Sequence, residues 1–401
     1  MRVPHVLVTH PGRQHSHQAA LALQKADLLA GYWAGVPSLA EHGRLVPQAL
    51  WRRLIVYAPI PLDPTRVRWT PWVPGLRRLG DRLPGGAARE VDFAVCRLFD
   101  RWAARRLPQA GASASISGVI ACEISALATF RAARAQGMTT LLDAPSIHWA
   151  AQDRLHGTLD PPGLHRRIVR VKEEEIGLAD HILTVSELAR QTYLEAGVPA
   201  EKVYAVPLGA DLHLFRPDAT EEAPCHGFTF LFAGATIHRK GFDLLLQAFA
   251  RVAAAVPDAR LRVVGPRGDS APLLEQYRGL PIEVAGATDQ RGLAKEFRRA
   301  DCLVLPSRND SYAMVVPEAL AAGLPVIVSE MVGAKDLVRE GRNGWIVPAG
   351  DAAPLAERML ACAQNREGLR AMREECRRSA EAATWEAYHE RLAALLRRIV
   401  L

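Results

Sequence analysis

At 401 residues the chain exceeds what one hydrophobic core usually fills, so two domains of roughly 150–250 residues each are expected. Hydrophobic residues make up 49% and charged residues 23%, which supplies packed cores and excludes wholesale disorder. The net charge of +7 lies wholly in the first half, because residues 1–210 hold 25 Lys+Arg against 18 Asp+Glu while 211–401 hold 25 of each.

Short β-rich apolar runs alternate with longer amphipathic stretches, the pattern of parallel β-α-β units. The first run, 5–10, precedes a helix expected over about 14–30. Residues 36–90 carry eight prolines, from Pro37 to Pro84, and predict loops and short pieces. The alternation resumes with strands over 118–123, 139–143, 181–186 and 203–207, and with helices ending near Gln136 and spanning about 164–179. Residues 216–227, rich in prolines and acids, read as an interdomain linker.

A second series follows, with strands over 228–234, 260–265, 281–286, 302–307, 325–330 and 344–348. Each of these runs is apolar throughout, as expected of a parallel sheet covered on both faces. The last stretch predicts one amphipathic helix, capped by Thr384 and ending in Arg397 and Arg398. Two doubly wound parallel sheets, Rossmann-like and facing a central cleft, are the economical α/β architecture, with ligands beyond the carboxyl ends of the strands. The expected domains are 1–210, 211–383 and a helix over 384–401 packing back on the first domain.

Two stretches carry candidate chemistry. Gly234 to Gly241 places Arg239 and Lys240 between a strand and a helix start, where free amides and paired cations suit a diphosphate. In the stretch from Leu305 to Val328, Asp310 follows a buried strand and Glu318 lies eight residues later in an otherwise apolar helix. Burying that carboxylate unpaired is expensive, whereas ribose hydroxyls would satisfy it. Asp310 and the amides of Ser311, Tyr312, Ala313, Met314 and Val315 likewise suit sugar hydroxyls and phosphate oxygens. The plainer reading of the same residues is a helix glutamate at the core edge with a loop aspartate as cap.

In this order, Pro306-Ser307, Asp310, Tyr312-Ala313, Glu318-Ala319 and Gly323-Leu324-Pro325-Val326 resemble the signature of family-4 retaining glycosyltransferases (glycosyl transferases group 1), which have the GT-B fold. Ala179 to Ser186, Val206 to Asp211, Arg239 to Gly241 and Gly341 to Val347 extend the resemblance over about 165–350. It implies a nucleoside-diphosphate-sugar donor as substrate, bound by domain 211–383 with the acceptor on domain 1–210, no cofactor, and transfer with retention and without a metal. The chain has no D-x-D pair to hold one. Lys240 and Arg239 would bind the diphosphate, Glu318 the ribose and Asp310 the donor sugar. Gly265 and Ala287 would lie near the base, and Gly12 of the first loop would join the donor site.

Departures from that pattern fall at Asp310 in place of glutamate, at Ala313 in place of glycine, at Ala235 in place of arginine, and at Asp143 in place of a histidine. His148 lies five residues beyond Asp143, and both enter the expected catalytic set beside Asp310. The expected reaction is transfer of a hexosyl-type sugar to a glycan or lipid-linked acceptor, such as a surface-polysaccharide or lipopolysaccharide intermediate. A nucleotide-sugar epimerase and a non-catalytic nucleotide-sugar-binding subunit are the alternatives.

Six cysteines without C-x-x-C spacing read as reduced, small apolar residues. His10, His15 and His17 read as loop and helix-surface residues, so no metal is expected. Residues 44–106 hold 13 Lys+Arg against 5 Asp+Glu, with Trp51, Trp69, Trp72 and Trp102 among them. Either this is a solvated edge over core tryptophans, or it is a peripheral contact with anionic membrane. No nucleic-acid motif accompanies the charge. No uncharged apolar run reaches the ~20 residues needed to cross a bilayer, and the segment from Met1 to His5 has no signal-peptide layout. The expected location is cytoplasmic, with peripheral attachment to the inner face of the cell membrane as its extension.

Overall fold

The computed structural model describes residues 5–36, 60–113, 116–158, 160–217 and 227–400. Residues 44–59 of the basic region, with Trp51, and 218–226 of the expected linker, with Cys225, lie outside the described residues. The chain divides into two compact units, one of residues 1–184, 190–206 and 388–401, the other of 185–189 and 207–387.

The first unit is built on seven parallel strands: β1 (His5–His10), β2 (Leu29–Ala34), β3 (Val67–Trp69), β4 (Ile116–Cys122), β5 (Thr139–Ala144), β6 (His181–Thr184) and β7 (Val203–Ala205). Their order, β3-β2-β1-β4-β5-β6-β7, puts the topological switch between β1 and β4. Helices α1 (Ser16–Lys25), α2 (Trp72–Gly80), α3 (Gly85–Ser113), α4 (Leu127–Arg134), α5 (Trp149–His156), α6 (Pro162–Leu178) and α7 (Glu187–Glu195) connect or cover them. The helix expected over 14–30 is shorter, and Leu29 begins a strand. Leu-Ala-Gly-Tyr-Trp-Ala is buried on both faces of the sheet, so it shows no alternation to mark it as a strand. Proline-rich 60–90 yields β3, α2 and the start of α3, whose Phe99 stacks on Trp102 and whose Val95 packs with Val73 of α2.

At the start of α4 two buried carboxylates from other helices bind the amides that a helix leaves unpaired. Glu175 of α6 accepts from the amides of Ile124 at 2.7 Å, Ala126 at 2.8 Å and Leu127 at 3.1 Å. Asp100 of α3 accepts from the amides of Ala128 at 2.7 Å and Thr129 at 2.8 Å, and Arg97 closes on Asp100 at 2.8 Å.

The second unit holds six parallel strands: β8 (Phe228–Ala233), β9 (Ala259–Val264), β10 (Ile282–Gly286), β11 (Cys302–Leu305), β12 (Val326–Ser329) and β13 (Gly344–Val347). The order β10-β9-β8-β11-β12-β13 repeats the switch, here between β8 and β11. Its helices are α8 (Phe242–Ala255), α9 (Gln290–Arg299), α10 (Val315–Ala321), α11 (Ala352–Gln364), α12 (Arg366–Ala371) and α13 (Arg373–Ala380). The expectation that every strand is covered on both faces fails at β10. It is the sheet edge, its crossover is the 3-10 turn Ala271–Tyr277 rather than a full helix, and Val284 is 37% exposed.

The final helix, α14 (Trp385–Ile399), is capped by Thr384, whose hydroxyl accepts from the Ala387 amide at 3.0 Å. From Tyr388 onward it belongs to the first unit, as expected. There Lys25 of α1 donates to His389 Nδ1 at 3.1 Å, which leaves Nε2–H to donate to Gln18 at 2.8 Å. The five described cysteines are free and buried.

Replacing Glu175 by alanine strands three amides, of which those of Ala126 and Leu127 are buried. Each buried one costs about 1–3 kcal/mol, so the first unit should lose at least about 2 kcal/mol in denaturant unfolding, while replacing the half-buried Glu174 by alanine changes it by less than about 0.5 kcal/mol.

Candidate functional site

The second unit assembles its site where β8 and β11 diverge. After β8 the chain turns through a 3-10 segment, His238–Lys240, and enters α8 at Gly241. Gly241 has φ +68 and any Cβ would lie 2.0 Å from the Pro306 carbonyl oxygen, so the two loops approach so closely that only glycine fits. Arg308 locks them together. Its guanidinium forks onto both carboxylate oxygens of Asp243 at 2.7 Å and donates to the His238 carbonyl at 2.8 Å. The sequence reading passed over this residue. The signal was present in Asp243, an acid in the first turn of a helix beside a basic loop.

Lys240 Nζ donates to the Asp310 carboxylate, and Arg239 donates to the Asn309 carbonyl at 3.0 Å. Thus Arg239, Lys240 and Asp310, singled out separately in the sequence, stand together. The Lys240 side chain is 18% exposed and that of Asp310 11%, so the pair is screened from water but reachable. Beside them Asn309 Oδ1 and Ser307 Oγ are buried without a hydrogen-bond partner among the described residues.

Glu318 lies in the first turn of α10, 5% exposed, and burial pushes its carboxyl up to about 8. No side-chain hydrogen bond satisfies it among the described residues. Ser311 to Val315 form the approach to that helix. The Ser311 carbonyl accepts from Ser186 at 2.6 Å, the Tyr312 hydroxyl donates to the Leu208 carbonyl, and the Tyr312 amide donates weakly to Asp310 at 3.4 Å. Ala313 has φ +68, so the position does require the left-handed conformation that glycine adopts freely. Met314 caps α10, and Val315 is its first residue.

Gly265 closes β9 with φ +143, and a Cβ there would lie 2.1 Å from the Gly234 carbonyl oxygen. Ala287, one residue beyond β10, is exposed.

In the first unit Asp143 ends β5 and accepts from His15 Nε2 at 3.0 Å. His15 is therefore no helix-surface residue, since it precedes α1 with a side chain only 9% exposed. Burial opposes its charge, but the Asp143 carboxylate outweighs burial and raises its pKa above 6.5. Against that same burial, the His15 charge draws Asp143 below 3.8. His10 is 3% exposed, so it too departs from the surface reading. Its Nδ1 accepts from the Gly12 amide at 2.8 Å, and burial lowers its pKa to about 4. His17 is half-buried and lowered to about 3, again chiefly by burial. His148 caps α5 and takes Thr192, Tyr193 and Glu173 as neighbours rather than Asp143. Among the described residues no group of three or more His, Cys, Asp or Glu side chains has the layout of a metal site.

The fold of the whole chain resembles that of sucrose-phosphate synthase from Thermosynechococcus elongatus, with a TM-score of 0.72 and 19% identity over 99% of each chain. It also resembles Anabaena HepE in complex with UDP, with a TM-score of 0.68 and 15% identity over 99% of this chain and 100% of that one. The two Rossmann-like parallel-sheet domains and returning C-terminal helix are those of the GT-B fold. Residues 227–365 match the sequence model of the glycosyl transferases group 1. A phosphatidyl-myo-inositol mannosyltransferase of Mycobacterium leprae is 35% identical over 188 residues, 46% of this chain and 50% of that protein. The chain thus spans about half the length of that curated relative.

Because Ala313 pays for its backbone conformation, Ala313→Gly should raise stability by up to about 1 kcal/mol, read as an upward shift in thermal midpoint. A lower midpoint would show that the methyl group, 7% exposed, packs usefully enough to outweigh the strain.

Proposed function

We propose that the protein is a retaining, metal-independent glycosyltransferase that moves a hexosyl-type sugar from a nucleoside diphosphate to a glycan or lipid-linked acceptor. The observation carrying this reading is the meeting of Arg239, Lys240 and Asp310 at the switch point of the second sheet, with the unsatisfied Glu318 carboxyl in the following helix. Paired cations would hold the diphosphate and offset charge developing on it as the glycosidic bond breaks. Asp310 would be freed from Lys240 by the incoming phosphate and turn to the sugar. Glu318 would accept from ribose hydroxyls. Gly265 and Ala287 would border the base, and Asp143 would orient a sugar hydroxyl.

Lys240→Ala and Glu318→Ala should each weaken donor binding by about tenfold or more, since each removes a charge-assisted bond. Calorimetry with the donor selected from a panel of nucleotide sugars measures this, and unchanged binding and transfer in both variants would refute the assignment. Ribose hydroxyls donating to Glu318 favour its ionised form, so donor affinity should rise as pH climbs toward about 8 and level off above it. Glu318→Gln should flatten that dependence.

The acceptor side of this reading includes a lipid surface. No helix among the described residues is long and apolar enough to cross a membrane. Trp102 packs on Trp33 and Phe99, and Trp72 packs against the small core of α2 and α3, so both tryptophans are partly buried against a core. What is exposed instead is Leu79 of α2 at 58%, Leu83 of the connecting turn at 44% and Leu98 of α3 at 44%, with Arg82 of that turn and Arg101 and Arg105 of α3 also exposed. Apolar side chains set among cations suit the boundary of an anionic bilayer. Leu79→Glu with Leu83→Glu should cut binding to phosphatidylglycerol-containing vesicles by about tenfold or more in co-sedimentation, and neutral vesicles should bind weakly even the unaltered protein.

A further inference from the structure

Lys240 reaches its site from a turn that is held on both flanks, and two charged residues outside the expected donor set do the holding. The turn runs from Thr236 to Gly241, between β8 and α8. On one flank lies the loop after β9. The Thr236 amide donates to the Pro266 carbonyl at 3.1 Å, its hydroxyl accepts from the Gly268 amide at 2.9 Å, and its carbonyl accepts from the Ser270 amide at 3.0 Å. A Cβ on Gly268 would lie 2.2 Å from the Ile237 side chain, so that loop presses directly on the turn. On the other flank lies the loop after β11, which meets the turn where Gly241 touches Pro306 and where the Arg308 amide donates to the Arg239 carbonyl at 2.9 Å.

The two flanks converge on one residue. Asp269 accepts from the His238 amide at 2.9 Å, and Arg308 donates to the His238 carbonyl at 2.8 Å, while the His238 side chain is exposed. Holding the N–H and the C=O of one residue fixes both peptide planes that meet at its Cα, and with them the direction in which the chain continues to Lys240. Arg308 suits this task. Its Nη1 serves two acceptors, the His238 carbonyl and Asp243 Oδ1 at 2.7 Å, while Nη2 serves Asp243 Oδ2 at 2.7 Å. A planar guanidinium supplies donors in that arrangement, whereas a lysine ammonium is a point charge on a flexible stem. Burial opposes the charge on Asp243, but the Arg308 fork outweighs it and holds that carboxyl below 3.8. The fork therefore stays ionised throughout the neutral range.

We infer that Arg308, with Asp269 opposite it, is a positioning residue that aims the Lys240 ammonium at a diphosphate. Arg308 acts through the His238 carbonyl and Asp269 through the His238 amide, and neither residue transfers a proton. Calling the ligand a diphosphate rests on the glycosyltransferase reading; the aiming of Lys240 does not. A misplacement of about 1 Å in a group that meets the reacting centre can cost about 100-fold in rate, so a residue that only orients Lys240 still governs the reaction.

The chain has six lysines, so labelling lysine with 13C at Cε in the full-length protein gives six signals, and Lys240→Arg identifies the one of interest. In Arg308→Met the Lys240 signal should leave the position set by its ion pair with Asp310, while the other five stay in place and mark a folded chain. Inorganic pyrophosphate, the part common to all nucleoside diphosphates, should shift Lys240 saturably in the unaltered protein and bind about tenfold or more weakly in Arg308→Met. Arg308→Lys keeps the charge without the fork and should restore neither the signal nor the affinity. His238→Ala keeps both peptide groups and should change neither. Should Arg308→Met not fold, Arg308→Lys and Asp269→Ala carry the same comparison.

A Lys240 signal that stays in place when Arg308 is replaced overturns the inference, as does a lysine at 308 that binds pyrophosphate like the unaltered protein, or a His238→Ala variant weakened as much as Arg308→Met. Pyrophosphate that leaves Lys240 unmoved in the unaltered protein removes the diphosphate reading instead, and the signals of the ligand-free variants still decide the aiming of Lys240. Where transfer is observed, Arg308→Lys should raise the donor KM and lower kcat, each by about tenfold, with the acceptor KM unchanged. An equal rise in the acceptor KM would mean a general structural role and overturn it.

Discussion

Lys240 and Asp310 come from loops after neighbouring strands and neutralise each other where the second sheet splits. Neither charge could be drawn this far from water alone, because an unpaired ion in a low-dielectric site costs several kcal/mol. The surrounding loops are shaped to permit the pair. Gly241 lets the two loops touch, Arg308 clamps them through Asp243, and the Asp310 amide and carbonyl are tied to Met331 and Gly333. Gly333 is itself required, since a Cβ there would fall 2.0 Å from the Ser311 carbonyl oxygen. An internal ion pair of this kind is exchangeable. Under the proposed reading an incoming anion would take the lysine and release the aspartate, so the pair would keep both groups neutral until a donor arrives.

The two units share the order of strands about the switch point, and a helix start beside it is treated differently in each. A helix that starts at a switch point offers unpaired amides and a positive dipole end. In the first unit the amides at the start of α4 are filled by Glu175 and Asp100, carboxylates supplied by the protein. That end is closed to a phosphate. In the second unit Asp269 accepts from the His238 amide at 2.9 Å in the turn before α8, but among the described residues no side chain caps α8 itself, and Arg239 and Lys240 precede it.

Much of the architecture was legible because parallel strands are short, apolar and punctuated. All six strands of the second series lie within a residue or two of the expected runs, and the returning helix was marked by its cap and terminal cations. Failures came where local pattern carries no information about neighbours. Leu29–Ala34 reads like the end of a helix because a strand buried on both faces has no period of two. At β10 the error was reversed, since an apolar run can be an exposed edge when its crossover is too short to cover it.

The sequence by itself determined the class of fold, the cations before α8, the acids at 310 and 318, and the strain at Ala313, because each is set by neighbours within a few residues. Only the tertiary structure decided which charges meet. It paired Lys240 with Asp310, and it brought His15 across 128 positions to Asp143 while leaving His148 with Thr192 and Glu173. It also turned Trp102 inward and left leucines outside. Those outcomes depend on strand order and crossover length, which place distant segments side by side, and hydrogen bonds and ion pairs act only over the last few ångströms.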